Sequence, residues 1–247
     1  MEPAAYLESI RSEGARLGEA ARAAGLQAAV PACPGWSIAD LLQHTALVYR
    51  RMTFVVTTGA RERPSGDAWR RAAPDPDEVP AWFDEELDAV VSALSATDPT
   101  TPMWTWWQPE QRARFWFRRM AHETVVHRAD AEAARGALTP VRTELARDGV
   151  DEALDLFLAP NFPPGSLDGP PATVHLHATD GAGEWLVGLG PDGVTVERGH
   201  AKGDAAVRGT ASELLLWLWG RAPTGDLELF GDVAQVARLR DAAAVVT

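Results

Sequence analysis

Residues 31–44 read PACPGWSIADLLQH and contain a complete signal for the start of a helix. Ser37 can cap the helix, and Asp40, at its third position, can reach back to the cap as the carboxylate of a capping box. Trp36 and Leu41 stand on either side of the cap, at the two positions that pack together in a hydrophobic staple. The register of the helix is therefore fixed, and with it the face on which each side chain lies.

One face of this helix is apolar except at a single position. Spacings of three and four place Leu41, His44, Val48, Met52 and Val55 together. The pattern predicts that His44 lies on the core side of the helix rather than in water. Buried polar groups are usually hydrogen-bonded, so on this evidence alone His44 is interpreted as a core histidine with one partner.

A second helical stretch at 115–134, FWFRRMAHETVVHRADAEAA, carries a carboxylate beside a histidine. Glu123 and His127 are four residues apart and project together from its inward face. A carboxylate on an apolar face is costly unless it is paired or bound to a metal. One explanation is a salt bridge from Arg119 to Glu123, with His127 hydrogen-bonded to the same carboxylate. That explanation leaves His44 without a role.

Two histidines and a carboxylate from two helices of one bundle form a set that can hold a catalytic divalent ion with one position open. The residues leave two interpretations, a metal site of His44, Glu123 and His127, or an internal salt bridge. Asp130 is spaced to orient the His127 ring, although a solvent-exposed aspartate is the default there. His122 lies five residues from His127, about 140° around the helix, and is left outside the ligand set.

The sequence around these helices predicts two domains, in the fold class α plus α+β. Long helical segments separated by Pro- or Gly-containing breaks indicate a four-helix bundle over residues 1–140. Over residues 141–247 a bridging helix precedes strand-like runs and short helices, which indicates a small α+β domain. Predicted helices cover 3–25, 37–58, 78–96, 112–135, 141–158 and 212–220, before a last short helix, and predicted strands cover 173–179, 184–190, 193–199 and 226–231.

Composition excludes several classes of protein. The 247 residues carry 23 Lys+Arg against 35 Asp+Glu, a net charge of −12, which argues against a nucleic-acid partner. The single cysteine, Cys33, excludes an internal disulfide and fits a reducing compartment. No apolar run approaches the roughly 20 residues of a membrane helix, and the acidic N-terminal segment does not resemble a targeting signal. We expect a cytoplasmic protein without membrane partners; a monomer is compatible with the sequence.

The motifs CPGWSIADLLQH (33–44) and RRMAHETVVHRADAE (118–132) resemble those of the mycothiol-dependent maleylpyruvate isomerase family, a branch of the DinB-like metal-binding four-helix bundles. TVHLHATD, AVRGTASELLLWLWGR and LELFGD are similar to the sterol-carrier-protein-like C-terminal domain of that family. The resemblance covers nearly the whole chain. It implies a DinB-like metal-binding helical bundle over 1–140, a sterol-carrier-like α+β domain over 141–247, and zinc held by His44, Glu123 and His127.

The resemblance also implies a chemistry. A small thiol at the open position of Zn²⁺ loses its proton and becomes a thiolate at neutral pH. In the named reaction of the family this thiolate adds to the cis double bond of maleylpyruvate, the new single bond rotates, and elimination returns the trans isomer. Related members include thiol transferases. The expected cofactors are mycothiol and Zn²⁺ or another divalent ion, and the expected partners are the small thiol and an electrophilic substrate.

A substrate that bears carboxylates needs a cation. The resemblance points to an arginine of the second domain, and Arg221 is the predicted catalytic residue because it follows the apolar helix directly after a C-cap glycine at Gly220. Arg208 is the second candidate. Cys33, in a Pro-flanked turn before the cap, is interpreted as a small hydrophobic residue rather than a nucleophile.

Alternatives to an enzyme stay open. The same three residues can serve a non-catalytic metal-binding or small-ligand-sensing protein, or a bundle without metal. A structural site is closed by a fourth protein ligand, whereas a catalytic site keeps an exchangeable position, and the absence of an obvious fourth ligand in the sequence favours the enzyme. His175 and His177 alternate along one strand with a spacing that can also bind metal. Without a third ligand in the sequence, a solvent-facing or interdomain strand face is the preferred interpretation.

Overall fold

The computed structural model describes residues 1–245. The chain divides into two compact units, Met1–Thr139 and Pro140–Thr247. The first unit is helical and the second contains a five-stranded sheet with helices, which confirms the predicted fold class α plus α+β. Within residues 1–245, no helix has both the length and the apolar character needed to cross a membrane.

Four long helices build the first unit, and their bounds lie within two residues of the predicted ones. Helix α1 packs mainly against α5 and α2 mainly against α4, while contacts of α1 with α4 and of α2 with α5 join the two pairs. Large apolar side chains fill the interior, and burying each contributes about 1.5–3 kcal/mol. The helices are α1 (Pro3–Ala24), α2 (Ile38–Thr58), the single-turn α3 (Gly66–Trp69), α4 (Val79–Ser95) and α5 (Arg114–Ala134), with a 3-10 turn at Pro76–Glu78.

The start of α2 has the predicted capping box. Ser37 Oγ accepts a hydrogen bond from the Asp40 backbone N–H at 3.3 Å, and Asp40 Oδ2 accepts one from the Ser37 N–H at 2.8 Å. The Ser37 hydroxyl and N–H hold the pKa of Asp40 below its ordinary value. The helix ends at Gly59, whose φ of 59° is left-handed. These two ends fix the position of His44 in the second turn of α2.

The second unit consists of a mixed sheet and the helices packed with it. The strand order is β3-β2-β1-β4-β5, and all neighbouring pairs are antiparallel except β1 with β4. Val174 and Leu176 point from β1 into the core, with His175 and His177 alternating between and after them. The elements are α6 (Thr143–Glu152), α7 (Ala159–Asn161), β1 (Ala172–Ala178), β2 (Glu184–Gly190), β3 (Gly193–Arg198), β4 (Ala205–Gly209), α8 (Ala211–Leu218), β5 (Glu228–Gly231) and α9 (Val233–Ala244).

Two features of this unit differ from the sequence prediction. Strand β4 was not predicted, because AAVRG is a short run whose pairing depends on β1, a strand distant in sequence. The predicted helix over 141–158 is not uniform, since α6 passes into a π-helical segment at Ala153–Leu158 and then into α7. In a π-helical segment the backbone hydrogen bonds join residues five apart instead of four, and the helix continues through it.

Candidate metal centre

The three predicted ligands come together between α2 and α5. The Oε1 atom of Glu123 lies 3.3 Å from Nε2 of His44 and 3.3 Å from Nε2 of His127. The two imidazole rings are 5.1 Å apart between centroids and nearly perpendicular, at 80°. One donor atom from each residue lies within 4.8 Å of the other two. The helical spacing of Glu123 and His127 and the register fixed at Ser37 produce this convergence.

The carboxylate of Glu123 divides its two oxygens between different partners. Oε2 accepts a hydrogen bond from Nη2 of Arg119, four residues earlier on α5, while Oε1 faces the two histidines. Arg119 is buried, with 6% of its surface exposed. The salt bridge considered from the sequence is therefore present, and it leaves Oε1 available. The two interpretations drawn from the sequence are compatible with each other.

The charges in this cluster favour the ionised forms of Glu123 and His127. Burial would raise the pKa of Glu123, but the Arg119 guanidinium and His127 outweigh it and hold that pKa well below its ordinary value. Burial would lower the pKa of His127, but the charge of Glu123 and the hydrogen bond that the ring donates to Asp130 outweigh it and raise that pKa to about 9. Without a metal, His127 is thus protonated at neutral pH and pairs with Glu123.

Asp130 fixes the orientation of His127. Its Oδ2 lies 2.9 Å from Nδ1 of His127, and its side chain is completely buried. The solvent-exposed position expected by default is wrong, because α5 is covered around most of its circumference in this segment. Nδ1 is engaged by Asp130, so Nε2 of the same ring is directed at Glu123. Cys33 Sγ contacts the same Asp130 oxygen at 3.8 Å and does not belong to the three-residue cluster.

The position of His44 corrects a sequence expectation. The helical pattern placed it on the core side, but 40% of its side chain is exposed, against 10% for His127. His44 lies near the start of α2, and the ring of Trp36, from the preceding turn, packs against it at 5.0 Å. The candidate ligand from α2 is therefore accessible to solvent, while the two candidate ligands from α5 are largely enclosed.

The donor set fits a divalent transition-metal ion. Zinc–nitrogen and zinc–oxygen bonds of about 2.0–2.2 Å in a tetrahedron imply donor–donor separations of roughly 3.3 Å. Both separations to Oε1 of Glu123 have this value. Two imidazoles with one carboxylate suit Zn²⁺ and several other divalent ions. Across residues 1–245 no fourth His, Cys, Asp or Glu joins the cluster, so it offers three candidate ligands.

The remaining candidate residues are described by their own local contacts. His122 is buried and packs edge-on against the Tyr6 ring, outside the cluster as expected. Arg221 follows α8, with its N–H bonded to the Leu216 carbonyl and its guanidinium to the Trp219 carbonyl. Arg208, on β4, forms an exposed ion pair with Glu228 at 3.0 Å. The catalytic role of Arg221 stays a prediction.

Sequence reasoning missed a second cluster of possible ligands. His175 and His177, considered without a third ligand, are joined by Glu184 and His200. His175 is buried rather than solvent-facing. The signal was available in the TDGAG turn at 179–183, because a tight hairpin there brings the start of β2 opposite the end of β1.

Two family models and two crystal structures match this chain. Residues 7–132 match a family model described as the mycothiol maleylpyruvate isomerase N-terminal domain, and residues 144–238 match the MDMPI C-terminal domain. A crystal structure of the mycothiol-dependent maleylpyruvate isomerase has a TM-score of 0.66 and 13% sequence identity, with 93% of each chain covered. A histidine-to-alanine mutant of that enzyme gives the same values. No curated protein matches the sequence.

Proposed function

Because the chain belongs to the mycothiol maleylpyruvate isomerase family, we propose that it is a mycothiol-dependent metalloenzyme that acts on an electrophilic small molecule. The reaction class is cis-trans isomerisation, as in maleylpyruvate isomerase, or thiol transfer. The observation that carries this proposal is the convergence of His44, Glu123 and His127 on a position with three protein ligands. A closed set of four would instead favour a structural or sensing role.

In this proposal His44, Glu123 and His127 hold Zn²⁺ or another divalent ion. When bound, the ion lowers the pKa of a thiol at its open position, so that mycothiol provides a thiolate at neutral pH. Nε2 of each histidine and Oε1 of Glu123 are the donor atoms, because these atoms face one another. His127 has to give up a proton on metal binding, since only the neutral ring is a ligand.

Two residues act by positioning these ligands. Asp130 accepts the Nδ1–H of His127 and so directs the Nε2 lone pair at the metal position. Arg119 holds Oε2 of Glu123 and so presents Oε1. Both partners are buried and come from α5 itself. The helix therefore supplies two ligands in a fixed geometry, and α2 completes the set with one.

The half-exposed His44 side of the cluster is the proposed entry for the thiol. His44 is the most exposed of the three proposed ligands, and the ring of Trp36 beside it offers an apolar surface. In the isomerisation, the thiolate sulfur bonds to one alkene carbon and the π electrons move onto the conjugated carbonyl. The bond that was double then rotates, and reversal expels the thiolate and restores the alkene. We propose Arg221 as the cation for a substrate carboxylate, on the strength of the family resemblance.

The proposal is tested with the metal-loaded full chain and maleylpyruvate. Turnover is expected with mycothiol and not with S-methyl mycothiol, which has the same shape but no ionisable thiol. His44→Ala should lower both zinc content and turnover, whereas Asp88→Asn, an exposed position on α4, should change neither. Turnover that does not depend on the thiol, or failure of mycothiol to bind, would overturn the proposal.

A further inference from the structure

A second group of metal-ligating side chains lies in the second unit, at one end of β1 and β2. It consists of His175 and His177 on β1, Glu184 at the start of β2, and His200 just beyond β3. One donor atom of each lies within 4.8 Å of the donor atoms of the other three. The mechanism proposed for the first unit uses none of these residues.

Sheet register brings the four residues together. In the antiparallel pair, His177 stands opposite Glu184, and His175 is two residues earlier on the same face of β1. The chain leaves β3 through Gly199, whose φ of 118° is outside the usual range for L residues, and whose N–H bonds to the Glu184 carbonyl at 3.0 Å. His200 is thereby directed to the same carboxylate.

One carboxylate oxygen is the centre of this group. Oε2 of Glu184 lies 2.9 Å from Nε2 of His175, 3.6 Å from Nδ1 of His177 and 2.7 Å from Nδ1 of His200. Within residues 1–245 every ion-pair partner of Glu184 is a histidine. A ring nitrogen of each of the three histidines therefore faces the same carboxylate oxygen, and those of His175 and His200 lie within hydrogen-bond distance of it.

Neighbouring cations are held elsewhere. Arg198, at the end of β3, is bonded to Asp151 at 2.8 Å and paired with Asp155. Its charge is therefore compensated without Glu184. His175 is 6% exposed, while the side chains of His177 and His200 are 33% and 81% exposed. The group is therefore accessible to an ion from solvent. His175 is enclosed, whereas the other three side chains are accessible.

We propose that His175, His177, Glu184 and His200 bind a divalent transition-metal ion, independently of the centre in the first unit. Imidazole and carboxylate donors select ions of the Zn²⁺, Co²⁺ and Ni²⁺ class over Mg²⁺ and Ca²⁺. Four protein ligands make this a closed, structural site, in contrast to the three-ligand cluster. The bound ion fastens the segment after β3 to the β1–β2 hairpin.

Metal stoichiometry of the full chain tests this proposal. After removal of metal with a chelator, the protein is titrated with Zn²⁺ against a chromophoric competitor. We expect two zinc ions for the wild type, one for His177→Ala/His200→Ala, and retention of the second-unit ion in His44→Ala. Glu228→Gln, an exposed carboxylate on β5, is the matched control and should keep both ions. Equal zinc uptake by the wild type and the double variant would overturn the proposal.

Hydrogen exchange provides a readout that does not depend on the first centre. Zinc is expected to slow amide exchange over residues 199–204 in the wild type and in His44→Ala, and to leave it unchanged in His177→Ala/His200→Ala. The substituted side chains are among the accessible ones, so the double variant should fold, which circular dichroism in chelator checks. Should the double variant lose its fold, His200→Gln alone is used, and undiminished zinc protection in that variant would contradict the proposal.

Discussion

The Nδ1 atom of His127 lies 2.9 Å from the Oδ2 atom of Asp130, whose side chain is completely buried. One helix thus carries both a proposed ligand and the group that orients it, three residues apart. The same helix carries Glu123 and, four residues before it, the Arg119 that holds its second oxygen. Helix α5 therefore carries two of the three proposed ligands together with the two residues that orient them. Each of these contacts can be tested by a separate substitution.

Replacing Asp130 with Asn should weaken metal binding without unfolding the bundle. The amide keeps the shape of the carboxylate but removes the charge that fixes and polarises His127. Loss of such an orienting partner typically costs about 10- to 100-fold in metal affinity. Competition titration with Zn²⁺ in the His177→Ala/His200→Ala background measures the effect. Asp88→Asn is the control, and equal affinities in the two variants would show that Asp130 has no orienting role.

Replacing Arg119 with Gln should destabilise the metal-free protein more than the metal-loaded protein. Removing one partner of a buried ion pair typically costs about 3–5 kcal/mol, and His127 alone would compensate the charge of Glu123 only in part. A bound cation would supply part of the missing charge. Urea denaturation in the presence of zinc and in the presence of chelator measures the two free energies of unfolding. The measurements use the His177→Ala/His200→Ala protein as the starting variant.

Arg114→Gln is the matched control for this change. Arg114 is on the same helix but 47% exposed, in an ion pair with Glu110 at 2.9 Å. Exposed pairs contribute about 0–1 kcal/mol, so little change is expected with or without zinc. If zinc did not reduce the loss of unfolding free energy in Arg119→Gln, the proposed placement of the ion beside Glu123 would be contradicted.

Stability of the metal-free protein should fall as pH rises through the pKa of His127. Folding raises that pKa to about 9, so its contribution is complete below the ordinary value near 6.5 and is lost as pH rises through about 9. The full contribution is about 3 kcal/mol, because one pKa unit corresponds to about 1.4 kcal/mol. The difference in unfolding free energy between wild type and His127→Gln should therefore shrink from pH 6 to pH 9.5; a constant difference would refute this account.

Replacing Arg221 with Ala should lower turnover without releasing metal. A charge-assisted hydrogen bond contributes about 1.5–3 kcal/mol, so the expected loss in kcat/KM is roughly 10- to 100-fold. Arg208→Ala is the comparison, because Arg208 is already paired with Glu228 at the surface and should have nearly wild-type kinetics. Zinc content is measured in both variants. Unchanged kinetics in Arg221→Ala would exclude the residue from catalysis.

Local patterns in the sequence predicted that the candidate ligands of the first unit would come together, because helical geometry is local. The capping box at Ser37 and Asp40 fixed the register of α2, and the four-residue spacing of Glu123 and His127 placed both on one face of α5. Burial was less predictable, since it depends on neighbouring helices. His44 is half-exposed and Asp130 fully buried, both contrary to expectation.

The candidate ligands of the second unit were not brought together from the sequence, because the TDGAG turn indicates a hairpin but only the strand register shows which residues stand opposite each other. His175 and Glu184 are nine residues apart and meet only through the register of β1 with β2. His200 joins them through the turn at Gly199, which no alternation pattern encodes. Strand β4 was missed for a similar reason, because it pairs with β1 across an intervening hairpin.

X-ray absorption at the zinc edge tests the central claim most directly. The His177→Ala/His200→Ala protein is loaded with one zinc ion, and its spectrum is recorded before and after addition of mycothiol. We predict a nitrogen and oxygen shell that gains one sulfur at about 2.3 Å when the thiol is added. A spectrum that mycothiol leaves unchanged, or zinc that remains after His44, Glu123 and His127 are all replaced by Ala, would contradict the account.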